Sequence, residues 1–266
     1  MQPLREGGSL PAVIDTHGGG LFVAKFRGAG QGVKALVAEL IVGMLARHAG
    51  LPTPEPAIIE IPDSFGRTEP DPEIQDLLRA SHGVNVGAKY LDGAFNFDGN
   101  AAADFITSEL AARIVWFDAF VSNPDRTHRN PNLMVWERQP YLIDHGAALY
   151  AQHDWPSVDD AKTRSPFQLI KEHVLLAQSG DIAAADAELA PLMNADAIRA
   201  ALDEVPDELL TDASIRSDFP TPAAARERYA RYLALRAESP RAFVDEVKSA
   251  QQRAVRIPAT RVSSRR

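Results

Sequence analysis

Three residues within one stretch have the types and spacing that phosphoryl transfer requires. Between Phe120 and Tyr150 the chain reads FVSNPDRTHRNPNLMVWERQPYLIDHGAALY. Asp125 lies in a polar loop, Asn130 follows in the same loop, and Asp144 ends a short apolar run ahead of His145-Gly146. Moving a phosphoryl group needs one group to orient the attacking hydroxyl and hard oxygen ligands to hold Mg²⁺ on nucleotide phosphates. An acid, an amide and a second acid around a hairpin supply that set. Asn123-Pro124-Asp125 alone is an ordinary turn whose side chains bond their own backbone. A plain turn does not account for the second acid.

Upstream, Lys25 sits inside LFVAKF. Alternation along a strand places it on one face with Leu21 and Val23, where a buried ammonium is expensive unless it meets an anion. The competing reading is a strand-end lysine that extends to water. Glu39 sits among apolar residues in the middle of VKALVAELIVGMLARHAG; it either points outward between turns or pairs with a buried cation, for which Lys25 is the candidate. Gly18, Gly19 and Gly20 follow Thr16-His17. Such a turn closes a hairpin, and it also allows backbone N–H groups to approach a phosphate.

The elements that must position these groups read as follows. LPAVID and LFVAKF are strands around the glycine turn. Leu36, Leu40 and Met44 recur at helical spacing, and Gly50 ends that helix. PEPAIIEIP and VNVGAKYLDG are further strands, separated by DSFGRTEPDPEIQDLLRASHG, loop-rich with one helical turn or two. AAADFITSELAARIVWFDAFVSN is a helix with a buried stripe through Phe105, Leu110, Ile114, Phe117 and Val121, stopped at Asn123-Pro124. LMVW and YLI form a hairpin around a turn at Glu137 to Pro140. Beyond Tyr150 the chain reads as helices: SPFQLIKEHVLLAQ, DIAAADAELAPLM, NADAIRAALDEV, PTPAAARERYARYLALRAE and SPRAFVDEVKSAQQRA. A strand-rich beginning and a helical remainder predict an α+β, bilobal architecture. The N-lobe spans 1–95 and carries an antiparallel sheet and one main helix. The larger, mostly helical C-lobe spans 96–255, and a basic tail covers 256–266. In such a fold the connection between lobes offers backbone groups to an adenine, which points to Lys89, Tyr90 and Leu91.

Composition narrows the function classes. A formal net charge of −8 over 266 residues argues against a protein that coats nucleic acid or an anionic membrane. The absence of cysteine excludes a disulfide framework, a thiolate zinc site and a cysteine nucleophile. No signal peptide and no stretch near twenty apolar residues are read, so a cytoplasmic location is expected.

The motifs carry a family resemblance. D-R-T-H-R-N at 125–130 is similar to the D-R-H-x-x-N loop of HipA-like kinases, and I-D-H-G at 143–146 to their I-D-F-G motif. V-A-K and A-E-L extend the likeness, which covers residues 10 to 150 in order and spacing. It is strongest to the compact, stand-alone HipA-like kinase domain, whose fold is distantly that of protein kinases and phosphoinositide 3-/4-kinases. The resemblance implies an ATP- and Mg²⁺-dependent Ser/Thr kinase. Asp125 would orient the substrate hydroxyl, Asn130 and Asp144 would hold Mg²⁺, and Lys25, paired with Glu39, would contact the α/β-phosphates. Gly18, Gly19 and Gly20 would turn over the phosphates. A partner of the toxin–antitoxin type is implied by analogy only. There are departures: Thr127 stands where the family often has His, leaving a role for His128 open, Asn132 competes with Asn130 as metal ligand, and no autophosphorylation serine of the toxin type is evident in the glycine turn. His145 occupies a packing position.

Three rival readings stand beside this one. The same fold could phosphorylate a small molecule or a lipid, or bind nucleotide without turnover. Asp125 and Asp144 could instead serve a metal-dependent phosphohydrolase. A metal site from His128, Asp144 and His145 is a further alternative.

Overall fold

A computed structural model describes residues 2–3, 11–97 and 105–254. The basic tail expected at 256–266 lies outside these residues. Five strands form the first sheet: β1 (Gln2–Pro3), β2 (Ala12–Asp15), β3 (Leu21–Lys25), β4 (Pro56–Ile61) and β5 (Gly83–Lys89), in the order β1-β2-β3-β5-β4. Every neighbouring pair is antiparallel, with Ile14 opposite Phe22 and Lys25 opposite Val86. Three more strands form a second sheet in chain order: β6 (Phe95–Asn96), β7 (Leu133–Trp136) and β8 (Gln139–Leu142).

The two faces of β3 do different work. Ala24 and Phe26 enter a small core with Ala12, Ile14, Ile59 and Leu78, closed by helix α2 (Pro72–Ala80). Val23 and Lys25 face the other way, toward α1 (Gly32–His48) and a cleft. The segment expected to hold a helical turn or two thus holds a nine-residue helix, α2. Asp71 caps it by accepting from the N–H groups of Glu73 and Ile74, and Pro72 occupies the first turn, where its missing N–H costs nothing. α1 is buried over most of its length. It ends as expected at Gly50, whose φ of +66° lets Gly50 N–H donate to Arg47 O and Leu51 N–H to Ala46 O.

α3 (Ser108–Phe120) is enclosed almost all round: Ile114, Val115, Trp116 and Phe117 have no solvent exposure. Around it pack α5 (Ile182–Leu189), α9 (Pro222–Ala237) and α10 (Ala242–Arg253), while α6 (Ala195–Asp203) lies against both α1 and α9. The short helices α4 (Asp160–Thr163), α7 (Asp207–Leu210) and α8 (Ala213–Arg216) complete the set. One continuous apolar core links α1 to α3 and the C-terminal helices.

Three local expectations need correction. α3 begins only at Ser108, where Thr107 caps it by accepting from Leu110 N–H, so Phe105 lies ahead of the helix and not on its stripe. The β7–β8 turn is made by Glu137 and Arg138, both at positive φ, and Pro140 belongs to β8, opposite Val135. β8 is an edge strand, where a residue without an N–H is tolerated. SPFQLIKEHVLLAQ is not one helix but two 3₁₀ turns, Gln168–Glu172 and Leu176–Gln178. His173 lies between them, drawn into a bridge with Thr127, while Val174 N–H donates to Arg126 O at 3.0 Å. Tertiary bonds have taken the backbone groups that a helix needs.

Candidate active site

A cleft of about 730 Å³ opens between the first sheet and the second. Lys25, Glu39, Asp125, Asn130, Asn132 and Asp144 all line it. These side chains come from four separate elements, and the fold brings them together at close range.

Lys25, on the last residue of β3, donates to Glu39 Oε2 at 2.6 Å and to Asp144 Oδ1 at 2.7 Å. Its side chain retains 14% of its exposure, so the snorkelling alternative does not apply. Glu39, on α1, is buried rather than pointing outward between turns. Burial works against the charged form of Lys25, but Glu39 and Asp144 outweigh it and raise the ammonium above its ordinary value. Burial pushes the Glu39 carboxyl up against the pull of Lys25. At Asp144 burial opposes ionisation too, yet the Lys25 charge and hydrogen bond prevail and hold that carboxyl down. The ammonium is therefore shared by two carboxylates, of which the shallower, Asp144, is the more firmly ionised. Lys25 uses one Asp144 oxygen and leaves Oδ2 for another partner.

Across the cleft, Asp125 Oδ2 accepts from Asn130 Nδ2 at 2.8 Å and from Asn132 Nδ2 at 3.0 Å. A carboxylate only accepts, so both amides must turn their nitrogens toward it and their oxygens away. Asn132 is buried and donates again to the Asp125 carbonyl at 3.4 Å, which makes it a brace of the loop. Asn130 is exposed to the cleft, and its amide oxygen is open to a ligand. The loop is closed by Thr127 N–H to Asn130 O at 2.9 Å and by Asp125 N–H to Asn123 Oδ1 at 3.1 Å.

The donors fit a hard divalent cation: Asp144 Oδ2 and Asn130 Oδ1 are oxygens, and Mg²⁺ takes one or two protein oxygens and keeps its remaining waters. The alternative of a histidine metal site fails on geometry. Among the described residues no His/Asp/Glu trio forms a metal site. Both ring nitrogens of His145 are engaged, Nε2 with Thr53 Oγ1 at 3.3 Å and Nδ1 with Arg126 Nη2 at 3.5 Å. Since the Thr53 hydroxyl donates to Leu142 O at 2.8 Å, it accepts from Nε2–H. Burial, with the Arg126 charge beside it, lowers the His145 pKa to about 3, so the ring is neutral.

Lys89, Tyr90 and Leu91 line the cleft where the chain leaves β5. Lys89 N–H is taken by Glu55 O and Tyr90 N–H by Leu21 O, so the next donor available to a base is that of Leu91. Gly18, Gly19 and Gly20 stand apart. They form an exposed turn, closed by Gly19 N–H to Thr16 O at 3.0 Å, that does not reach the lining of the cleft.

Beneath the loop lies a charged cluster that sequence reasoning missed. Asp118, in the last turns of α3, accepts from Arg126 Nε at 2.5 Å, His173 Nε2 at 2.9 Å and Asn123 Nδ2 at 3.0 Å. Arg126 also donates to Asn132 O and Ile143 O, and so ties the loop of Asp125 to the strand that ends at Asp144. Burial alone would raise the Asp118 carboxyl, but Arg126 and His173 hold it far below the usual range. The only available signal was an arginine following the loop acid and an aspartate within an apolar helix.

A small antiparallel sheet, one buried helix and a large helical part, with a lysine–carboxylate pair facing a loop aspartate, have the arrangement of a kinase fold. The crystal structure of a proinflammatory kinase, CtkA, from Helicobacter pylori matches with a TM-score of 0.52 over 91% of this chain and 94% of that one, at 13% identity, a likeness of fold. Among curated proteins no sequence relative matches. The family model described as HipA-like kinase matches residues 1–212, and the chain belongs to that family.

Proposed function

We propose that this kinase transfers the γ-phosphoryl group of ATP, with Mg²⁺, to the hydroxyl of a Ser or Thr in a protein. The observation that carries the reading is Lys25 bridging Glu39 and Asp144 across from the Asp125–Asn130 pair. The acceptor hydroxyl attacks phosphorus, the bond to the β–γ bridging oxygen breaks, and ADP leaves. Asp125 Oδ1 takes the hydroxyl proton, while Oδ2 is fixed by two amides. Lys25 orients the α/β-phosphates and is itself held by Glu39. Asn130 and Asp144 would hold the cation, which neutralises phosphate charge when bound. Leu91 and its neighbours would receive the base. Positioning and charge neutralisation suffice, and no covalent intermediate is needed.

The test is incubation of the protein with γ-labelled ATP and Mg²⁺, alone and with cell lysate, beside Asp125→Ala and Asp144→Asn. Label transferred to the protein or to a lysate band, and lost in both variants, is expected. Binding of Mg-ATP without transfer would favour a nucleotide-binding protein without turnover. Release of phosphate from non-nucleotide esters would favour the hydrolase.

A further inference from the structure

Lys25 holds one end of the segment that begins at Asp144, and a second lysine, Lys34 of α1, holds the other. Lys34 Nζ donates to the Gln152 carbonyl at 2.8 Å and to Asp218 Oδ2 at 3.0 Å. The Lys34 and Asp218 side chains retain 15% and 16% of their exposure, well below an ordinary surface pair. Gln152 is completely buried and engaged on every side. Its amide oxygen accepts from the Tyr229 hydroxyl at 2.8 Å, and its amide nitrogen donates to Ala148 O at 3.3 Å.

The stretch from Asp144 to Gln152 needs such tethers. Asp144 and Leu149 sit at φ +54° and +53°, left-handed conformations that cost energy for residues with side chains and persist only where the surroundings hold them. Leu149 N–H donates to Val121 O at 2.8 Å. Gly146 packs on α1, where a Cβ would lie in van der Waals contact with the Ala35 side chain and backbone oxygen at 3.4 Å. Glu39 stands on the same helix. α1 thus carries both the carboxylate that orients Lys25 and the lysine that pins the far end of the Asp144 segment.

We infer that Lys34, itself fixed by Asp218, is a positioning residue of the phosphoryl-transfer site. It couples α1 to the segment from Asp144 to Gln152, so that Glu39, Lys25 and Asp144 keep one arrangement. The inference rests on the kinase reading above. A plain stabilising salt bridge would affect unfolding alone. A positioning role also moves the response to the metal, because Asp144 is a proposed ligand.

The experiment compares full-length wild type with Lys34→Met, Lys34→Arg and Asp218→Asn, reading kcat, KM for ATP, the Mg²⁺ concentration for half-maximal rate and the thermal midpoint. Lys34→Met is expected to lower kcat roughly tenfold to a hundredfold, the scale of a small displacement of reacting groups. It should also raise the Mg²⁺ requirement, with a smaller change in KM. Asp218→Asn should do the same more weakly, and Lys34→Arg should restore most of the rate. Unchanged kcat and Mg²⁺ dependence in a folded Lys34→Met protein, whatever its thermal midpoint, would overturn the inference. If Lys34→Met does not fold, the same readings on Asp218→Asn and Lys34→Arg decide. Should wild type transfer no phosphate, the kinase reading fails by itself. Amide hydrogen exchange across 148–152 then tests the tether, with acceleration in Lys34→Met supporting it and an unchanged rate refuting it.

Discussion

Replacing Asp118 by Asn would show how much the buried cluster under the catalytic loop contributes. The side chain keeps its size but loses its charge, and an NH₂ group is turned toward donors. Arg126, with 1% exposure, then has no compensating carboxylate, and because His173 and Asn123 bond different oxygens of Asp118, one of the two loses its acceptor to the new NH₂ group. Breaking one side of a fully buried ion pair costs about 3–5 kcal/mol, because the remaining charge stays out of water. For a chain of this size that lowers the thermal midpoint by roughly 5–15 °C. Urea unfolding followed by far-UV circular dichroism measures the loss directly. A double-mutant cycle with Arg126→Met isolates the pair. If the partners act together, the double variant should be more stable than the sum of the single losses predicts, by about 2 kcal/mol or more. A loss below about 1 kcal/mol for Asp118→Asn, or strict additivity in the cycle, would refute the claim that this pair carries the loop.

Other outcomes follow from the same geometry. Asn130→Ala should raise the Mg²⁺ requirement with little effect on the urea midpoint, whereas Asn132→Ala should lower the midpoint through a loss of about 1–3 kcal/mol of unfolding free energy for the buried brace; reversal of the two would reassign the proposed metal ligand. Burial lowers the His173 pKa despite Asp118, so the folded state resists its protonation. The unfolded chain takes up that proton near 6.5, and stability should therefore fall as pH drops below about 6.5. Urea midpoints at pH 7 and pH 5 test this, with a smaller difference expected in His173→Gln. Asp118 works in the same sense at lower pH. Its depressed carboxyl contributes stability above the unfolded value near 3.8 that is lost only in strong acid.

What could be read from the chain was whatever has a local cause. Alternation located β2 and β3, helical spacing and Gly50 bounded α1, and the cost of an ammonium among apolar residues pointed Lys25 toward Glu39. Loop acids flanking a hairpin identified the cleft. What escaped depends on contacts between distant parts of the chain. The bond between Asp118 and His173 carries no local signal, because it joins residues 55 positions apart. The backbone bonds of His173 and Val174 to the loop at Arg126 and Thr127, equally distant in sequence, explain why a segment with helical composition forms 3₁₀ turns. Lys34 carries no local signal, because its partners, Gln152 and Asp218, follow it by more than a hundred residues.

The enclosure of α3 has a consequence for synthesis on the ribosome. The carbonyls at its end, Ala119 and Phe120, are satisfied by the guanidinium of Arg236, and Trp116 packs against Phe243 with ring centroids 5.4 Å apart. The catalytic loop hangs directly from that end. A nascent chain that has exposed the Asp125 loop and the Asp144 segment, but not yet α9 and α10, holds Lys25, Glu39, Asp125 and Asp144 without the platform that sets their spacing. On the reading proposed above, a chain truncated before α9 should hold its own loop poorly and transfer no phosphate, which separates synthesis of the site from its closure.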